Sequence, residues 1–223
     1  MPAGRNMYRE AGQAVEQLMM TQATEITDDG LLRRMLAGDE EAFKLLYRRT
    51  QPAIYRYALR MSGNPAVAED VTQEVFMALI RDTKRFDPSR GTLGGYLFGV
   101  ARNHLRKRWE QERRSVPLAA DAEESGFPAS AMPNGNVLPV GADDKLVSDE
   151  TATRVREAIA TLPENYREAV VLCELEEMSY EEAAVALDCP IGTVRSRLHR
   201  ARTMLMEKLR EMQSLRHAWG VSR

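Results

Sequence analysis

The stretch CPIGTVRSRLHRAR, residues 189–202, combines regularly spaced apolar residues with a cluster of cations. When residues 191–212 are placed on a helical wheel, one narrow face is apolar, and it consists of Val194, Leu198, Ala201, Leu205 and Leu209. The other side and its flanks hold Arg195, Ser196, Arg197, His199, Arg200, Arg202 and Thr203. The stretch therefore predicts a helix whose apolar face packs on other helices and whose cationic face is left for a partner.

The residues before this helix complete a recognisable motif. Ser179 and Glu182 have the spacing of a capping box, and the short helix that they begin ends near Leu187. A turn follows, in which Pro190 suits the first turn of the next helix. A short helix, a tight turn and a basic helix form a helix-turn-helix, whose second helix lies in the DNA major groove.

Arginine side chains on such a helix can bind guanine bidentately, and backbone amides near residues 191–193 can hold phosphates. An ordinary solvated helix face is the alternative interpretation. Because the capping box, the turn and the arginine cluster coincide, we favour DNA binding by the helix that contains Thr193, Arg195, Ser196, Arg197, His199 and Arg200.

Composition and charge restrict the class of protein. The chain has 223 residues, of which 29% are charged and 6% aromatic, and this suits small helical domains with modest cores. It has neither an apolar run long enough for a membrane span nor a signal-peptide pattern, so we expect a cytoplasmic protein without membrane insertion. Cys173 and Cys189 form no CxxC pair, and the three histidines are far apart, so we expect no metal and no cofactor. We expect Cys173 to be a small buried residue of a helix and leave open whether Cys189, in a turn, is reactive.

Helical patterns fall into two blocks, residues 28–114 and 150–213. Residues 115–149 between them are rich in proline, glycine and acids, which predicts a flexible acidic linker that leaves the two domains unoriented. Residues 1–27 predict an N-terminal extension with at most a short helix, and residues 214–223 a C-terminal tail. The sequence thus predicts an all-α protein with two small domains.

The first block predicts four helices. Asp28 or Asp29 is expected to cap the first helix, Gly38 to end it, and Asp39 to cap the second helix. Pro52 is expected to kink or split that second helix. The third helix is predicted over about residues 66–82, a loop over residues 84–95, and the fourth helix over about residues 93–114.

The fourth helix is basic and has aromatic neighbours. Its cations are Arg102, Arg106, Lys107, Arg108, Arg113 and Arg114. Basic residues beside aromatic ones suit single-stranded or melted nucleic acid, whose exposed bases can stack. Helical spacing favours a core position for Phe98 and Trp109, whereas Phe86, in the loop, suits base stacking and core burial equally.

The third helix has a different surface. Asp70, Gln73, Glu74 and Met77 lie on one side, away from the valines, and Phe76 and Ile80 are expected to form an exposed apolar spot. An acidic surface with apolar neighbours suits protein docking, while a solvated helix remains the alternative.

Four segments, taken in order along the chain, resemble bacterial sigma factors of the extracytoplasmic function (ECF) type. They are AEDVTQEVFMALI (residues 68–80), the loop with Phe86, the basic helix, and LPENYREAVVLCELEEMSYEEAAVALDCPIGTVRSRLHRAR (residues 162–202). The resemblance covers residues 28–114 and 150–212. It implies a sigma-2-like four-helix domain and a sigma-4-like helix-turn-helix domain.

The resemblance also implies partners and roles. The partners would be core RNA polymerase, through its β′ clamp helices and β flap, promoter DNA, and an inhibitory anti-sigma factor. Asp70, Gln73, Glu74 and Met77 would bind polymerase. The promoter −10 element would be read, with a base flipped from the melted strand, by Phe86, Arg102, Asn103, Arg106 and Lys107. The basic face of the last helix would read the −35 element.

The chain departs from this family at three points. Tyr96 stands where tryptophan is usual, and Gly99 where a larger residue is common. Together with Gly94 and Gly95, this predicts a flexible −10 segment. The linker is also long for the family.

Two other functions are compatible with parts of the sequence. A stand-alone helix-turn-helix regulator would bind a duplex operator tightly without polymerase. An enzyme acting on nucleic acid is disfavoured, because no acid–base pair, metal-ligand set or phosphate-binding loop is present in the sequence, so we expect no catalytic activity.

Overall fold

The computed structural model describes residues 27–82, 85–115 and 146–218. The predicted N-terminal extension up to residue 26, residues 116–145 of the predicted linker and residues 219–223 of the predicted tail lie outside the described residues. The first domain contains α1 (Asp28–Leu36), α2 (Glu40–Ser62), α3 (Pro65–Arg81) and α4 (Leu93–Ser115). The second contains α5 (Leu146–Ala160), α6 (Glu164–Val170), α7 (Tyr180–Leu187) and α8 (Ile191–Ala218). The all-α, two-domain prediction is confirmed.

Short polar side chains begin the helices of the first domain. Thr27 caps α1, since its hydroxyl accepts a 3.1 Å hydrogen bond from the Gly30 amide, so the prediction of Asp28 or Asp29 as the cap is wrong. Both aspartates lie in the first turn instead, where a carboxylate interacts favourably with the helix dipole. Asp39 caps α2 as predicted, and its carboxylate accepts 3.0 and 3.1 Å bonds from the amides of residues 41 and 42.

The first core lies between α2, α3 and α4. Helix α2 continues through Pro52, so the predicted split is wrong: the apolar side of α2, with Leu46, Ile54 and Tyr57, is buried on both sides of the proline. Phe98 and Trp109 are buried, as their spacing predicts. The exposed spot predicted at Phe76 is wrong, because this ring is only 4% exposed and packs at 4.6 Å from the Tyr47 ring, whereas Ile80 is exposed.

The second core lies between α6, α7 and α8. The capping box at the start of α7 is present in both directions: the Ser179 hydroxyl accepts from the Glu182 amide, and the Glu182 carboxylate accepts from the Ser179 amide. A π-helical turn, Val171–Leu175, follows α6. Val194, Leu198 and Ala201 of α8 are buried against these elements, and Leu205 packs at their edge.

The two domains contact each other directly. Helix α4 of the first domain lies on α7 of the second, and α2 contacts α6 and the π-helical turn. The expectation that the linker leaves the domains unoriented is therefore wrong for the described residues, which form one continuous interface.

Candidate nucleic-acid and polymerase interfaces

The basic face of α8 has the geometry that its sequence predicts. The seam residues Val194, Leu198 and Ala201 are at most 2% exposed, which orients the opposite side of the helix toward solvent. The predicted −35 residues accordingly lie together along two turns: Arg195, Ser196, His199 and Arg200 are exposed, and Thr193 and Arg197 are half-buried. The row presents guanidinium, imidazole and hydroxyl groups at the spacing of one helix face.

Neighbouring side chains orient part of this row. The Arg195 guanidinium lies 5.6 Å from the centre of the Tyr180 ring, a cation–π contact with the first residue of α7. The Arg197 Nη1 atom is 4.0 Å from the Cys189 sulfur. Arg202, on the flank, pairs with Glu174. Arg200 is exposed, so its guanidinium is accessible to an external acceptor.

The predicted −10 residues of α4 divide into two groups. Asn103, Arg106 and Lys107 are exposed along one side of the helix. Arg102 is only 8% exposed, because its Nε atom donates a 2.7 Å bond to the carboxylate of Glu168 in the second domain. In this arrangement Arg102 is out of reach of DNA.

The carboxylate that holds Arg102 is itself fully buried. Burial raises the pKa of Glu168, and the hydrogen bond from Arg102 opposes that rise only in part. Sequence reasoning did not single out Glu168. A signal was available, since Glu168 is four residues before Leu172 and therefore shares its buried side of the helix.

Phe86 is half-buried and packs against Tyr96, with 5.6 Å between ring centres. Both rings lie at a crevice of about 1130 Å³ between the domains. Arg102 and Asn103 belong to the same wall, and the opposite wall is made by α7 and the turn after it. The structure thus brings Phe86 and Asn103 to one cavity but places α7 across from them.

Three glycines of the first domain lie in a helix and not in a loop. Gly94, Gly95 and Gly99 lie within α4, so the prediction of a flexible −10 segment is wrong at these positions. A Cβ atom on Gly95 would lie 3.3 Å from the Glu182 carbonyl oxygen, and one on Gly99 would lie 3.5 Å from that of Ala186. The absence of side chains here lets α4 and α7 approach closely.

The predicted polymerase-binding residues form a continuous exposed row on α3. Asp70 accepts a 3.0 Å bond from Arg108 of α4, and Glu74 a 3.1 Å bond from Arg81. Exposed pairs of this kind contribute about 0–1 kcal/mol and exchange readily for other partners. Beside the row is a groove of about 520 Å³, lined by Phe43, Tyr47, Gln51, Tyr55, Glu69, Thr72, Gln73, Phe76, Met77 and Ile80. An acidic edge therefore borders an apolar groove.

Other types of site were sought in the part of the chain that the structure describes. It contains no cluster of three histidine, cysteine, aspartate or glutamate side chains that could hold a metal ion. Among the same residues, no helix combines the length and the apolar character needed to cross a membrane. Burial raises the pKa of the Cys173 thiol to about 11.

Known proteins share both domains. The family model for Sigma-70 region 2 matches residues 46–115, and that for Sigma-70 region 4 matches residues 152–205. The ECF RNA polymerase sigma factor SigE of Mycolicibacterium smegmatis is 34% identical over 79% of this chain and 66% of its own length. The ECF RNA polymerase sigma-E factor of Haemophilus influenzae is 32% identical over 85% of this chain and 99% of its own length.

A solved structure is similar as well. It is the sigma factor RpoE of Bartonella quintana in complex with the anti-sigma factor NepR, with 27% identity and a TM-score of 0.56 over 75% of this chain and 96% of that one. The two family models together cover more than half of the chain, and relatives matched over nearly their whole length are more than 30% identical. The chain therefore belongs to the ECF group of the sigma-70 family and is an alternative sigma factor that directs transcription initiation by RNA polymerase.

Proposed function

We propose that the second domain of this sigma factor reads the −35 element through the exposed row of α8, and that the first domain reads the −10 element through Phe86, Asn103 and the cations of α4. The observation that carries the proposal is the α8 row itself. Its apolar seam is buried, and Arg195, His199 and Arg200 extend into solvent from the first turns after the helix-turn-helix turn.

The chemistry of the α8 row suits a duplex. Arg195 and Arg200 offer planar donor pairs that fit the O6 and N7 acceptors of guanine, a contact worth about 1–3 kcal/mol of base discrimination. Arg197 is half-buried beside the turn, where a phosphate contact fits better than a base contact. The first domain instead combines cations with Phe86 and Tyr96, which suits an unpaired strand.

Docking on core polymerase is proposed for the α3 row, Asp70, Gln73, Glu74 and Met77, with the adjacent apolar groove. The acidic edge would exchange its weak contacts with Arg108 and Arg81 for cations on the β′ clamp helices. The second domain is proposed to contact the β flap. Polymerase performs the chemistry, so we propose that the chain has no catalytic activity and that it acts in the cytoplasm, where polymerase and promoters are found.

The proposed domain limits are residues 28–114 and 150–213, with the acidic linker between them. We also propose that an anti-sigma factor regulates this chain, since the similar RpoE structure was solved in complex with NepR.

Run-off transcription with core polymerase on promoter templates tests the proposal. Arg200→Ala is expected to reduce promoter use about 5- to 150-fold, corresponding to about 1–3 kcal/mol for a lost bidentate contact. The loss should disappear on a template whose −35 element is already scrambled. Lys208→Ala is the matched control, because it removes an exposed cation from the same helix two turns beyond the row and should leave promoter use unchanged.

An equal loss on intact and scrambled −35 templates would contradict the role of Arg200. If the unmodified chain bound a duplex tightly as a dimer and gave no transcription with core polymerase, a stand-alone regulator would be favoured instead.

A further inference from the structure

Helix α7 places an aromatic side chain beside the basic row of α8. Tyr180 is the first residue of α7, directly after its cap, Ser179. Reciprocal bonds between Ser179 and Glu182, together with a 2.9 Å bond from the Ser179 hydroxyl to the Glu182 carboxylate, fix the backbone at this point. The Tyr180 ring is half-buried and packs against the hydrophobic core. Its position is therefore set by the fold before DNA is bound.

Arg195 lies over this ring. The central carbon of the Arg195 guanidinium is 5.6 Å from the centre of the Tyr180 ring, within the distance at which a cation and an aromatic face attract each other. The face of a ring attracts the charge without accepting a conventional hydrogen bond, so the N–H groups of the guanidinium stay available. A carboxylate at the same place would occupy the donors that guanine O6 and N7 require. The ring therefore restrains the arginine without competing with a base.

A second arginine of α8 contacts the same tyrosine. Arg202 follows Arg195 by seven residues, about two helical turns, and so lies on the same edge of the helix. Arg202 pairs with Glu174 of the π-helical turn. That hydrogen bond raises the pKa of the Arg202 guanidinium, and the Tyr180 hydroxyl adds to the rise. Tyr180 is thus connected through its ring to Arg195 and through its hydroxyl to the Arg202–Glu174 pair.

Arg200, the other arginine of the row that is proposed to bind a base, lies on a different side of α8. It follows Arg195 by five residues, which places it about 140° around the helix. The Tyr180 ring lies at the edge with Arg195 and Arg202, and Arg200 points away from that edge. The chain therefore contains an internal comparison between two exposed arginines of one row.

Restraint of Arg195 before binding favours base recognition. An arginine side chain populates many rotamers in water, and a base contact in one geometry requires the loss of that freedom. A side chain that is already held loses less freedom on binding, so more of the contact energy appears as affinity. The expected effect on promoter use is about 2- to 10-fold, which corresponds to about 0.5–1.5 kcal/mol for immobilising one such side chain.

We infer that Tyr180 is a positioning residue of the −35 readout, whose ring holds the Arg195 guanidinium in place for a guanine of the duplex. This inference rests on the proposed function of the α8 row. It gives the first helix of the helix-turn-helix a part in base specificity that requires no base contact of its own.

A double-mutant cycle on the full chain tests the inference. Run-off transcription with core polymerase is measured for Tyr180→Leu, Arg195→Ala and the double variant, on templates with an intact or a scrambled −35 element. On the intact template only, we expect losses of about 5- to 150-fold for Arg195→Ala and about 2- to 10-fold for Tyr180→Leu. The double variant should be no worse than Arg195→Ala, because Tyr180 acts through Arg195.

Two control variants separate positioning from a general loss of stability. Tyr180→Phe keeps the ring and should retain most of the promoter use. Tyr180→Leu combined with Arg200→Ala should show the product of the two single losses, because Arg200 lies away from the ring. A Tyr180→Leu loss that persists in the Arg195→Ala background would overturn the inference. A loss in Tyr180→Phe as large as that in Tyr180→Leu would do the same, since the ring would then not be the active part.

Nuclear magnetic resonance of the unmodified full chain covers the case in which Tyr180→Leu does not fold. The side-chain Nε–H signals of Arg195 and Arg200, assigned by their loss in the two alanine variants, report motion on the picosecond to nanosecond timescale. The order parameter of Arg195 should be clearly higher than that of Arg200. Equal order parameters would contradict the restraint by Tyr180.

Failure of the proposed function gives a different result. If the unmodified chain transcribes and Arg195→Ala leaves promoter use unchanged on the intact template, the proposed base contact of Arg195 is wrong and the inference fails with it. A loss in Arg195→Ala together with a Tyr180→Leu effect that is independent of Arg195 overturns the positioning role alone.

Discussion

Replacing Arg102 by alanine should open the two domains. The substitution leaves the Glu168 carboxylate fully buried, with one oxygen already unpaired and the other newly so. Removal of one partner of a buried ion pair costs about 3–5 kcal/mol. At about 1.4 kcal/mol per tenfold change, the ratio of closed to open molecules should fall by about 10²- to 4 × 10³-fold. Because opening hydrates Glu168, the chain can separate its domains instead of unfolding.

The measurement is fluorescence energy transfer between labels on cysteines that replace Lys44 of α2 and Lys208 of α8, both exposed. The transfer reports the separation of the two domains. It is measured without DNA or polymerase, so that any role of Arg102 in promoter binding does not affect the result. Transfer should fall in Arg102→Ala and remain unchanged in Arg106→Ala, which removes an exposed arginine one turn further along α4. Adding Glu168→Gln should restore part of the transfer, because a neutral amide costs less to bury than an unpaired carboxylate. Unchanged transfer together with a loss of 3–5 kcal/mol in global stability would refute a separable interface.

Three further expectations address other parts of the molecule. Asp70→Lys should weaken binding to core polymerase at least tenfold in a pull-down or fluorescence titration. Glu41→Lys, an equal charge change on α2, should leave binding unchanged, and equal effects of the two substitutions would exclude the α3 row as a docking surface. Ser179→Ala should lower the free energy of unfolding by about 1 kcal/mol in urea, since it removes the capping hydroxyl of α7, and an unchanged midpoint would argue against the capping box. Burial raises the pKa of the Cys173 thiol to about 11, and only the thiolate reacts with iodoacetamide. In a Cys189→Ser background, Cys173 should therefore react at pH 8 roughly a hundredfold more slowly in the folded chain than in denaturant, and its rate should rise toward pH 11.

Local sequence signals predicted the elements that depend on neighbours along the chain. The i, i+3, i+4 spacing of Val194, Leu198 and Ala201 predicted the buried face of α8, and the Ser179–Glu182 spacing predicted the start of α7. The same rules located Asp39 as a cap but placed the cap of α1 one or two residues late, since Thr27 and Asp28 are both suitable and only the observed hydrogen bond decides between them.

Positions that depend on distant segments were not predictable in this way. The spacing of Phe76 in α3 allowed an exposed position, and its burial results from Tyr47 of α2 packing over it. Gly95 and Gly99 indicated flexibility when considered alone, because glycine in a helix costs backbone entropy, and only the presence of α7 alongside makes them a packing surface.

The amino-acid sequence by itself determined the two helical domains, the cationic face of α8 and the acidic row of α3, because helical periodicity and caps act over three or four residues. The tertiary structure alone decided that Arg102, a cation expected to face DNA, is buried against Glu168, 66 residues away along the chain. The physical reason is that a charged side chain is buried only when a counter-charge and a closely fitting surface are supplied by another part of the fold. The residue spacing within one helix carries no information about such a partner.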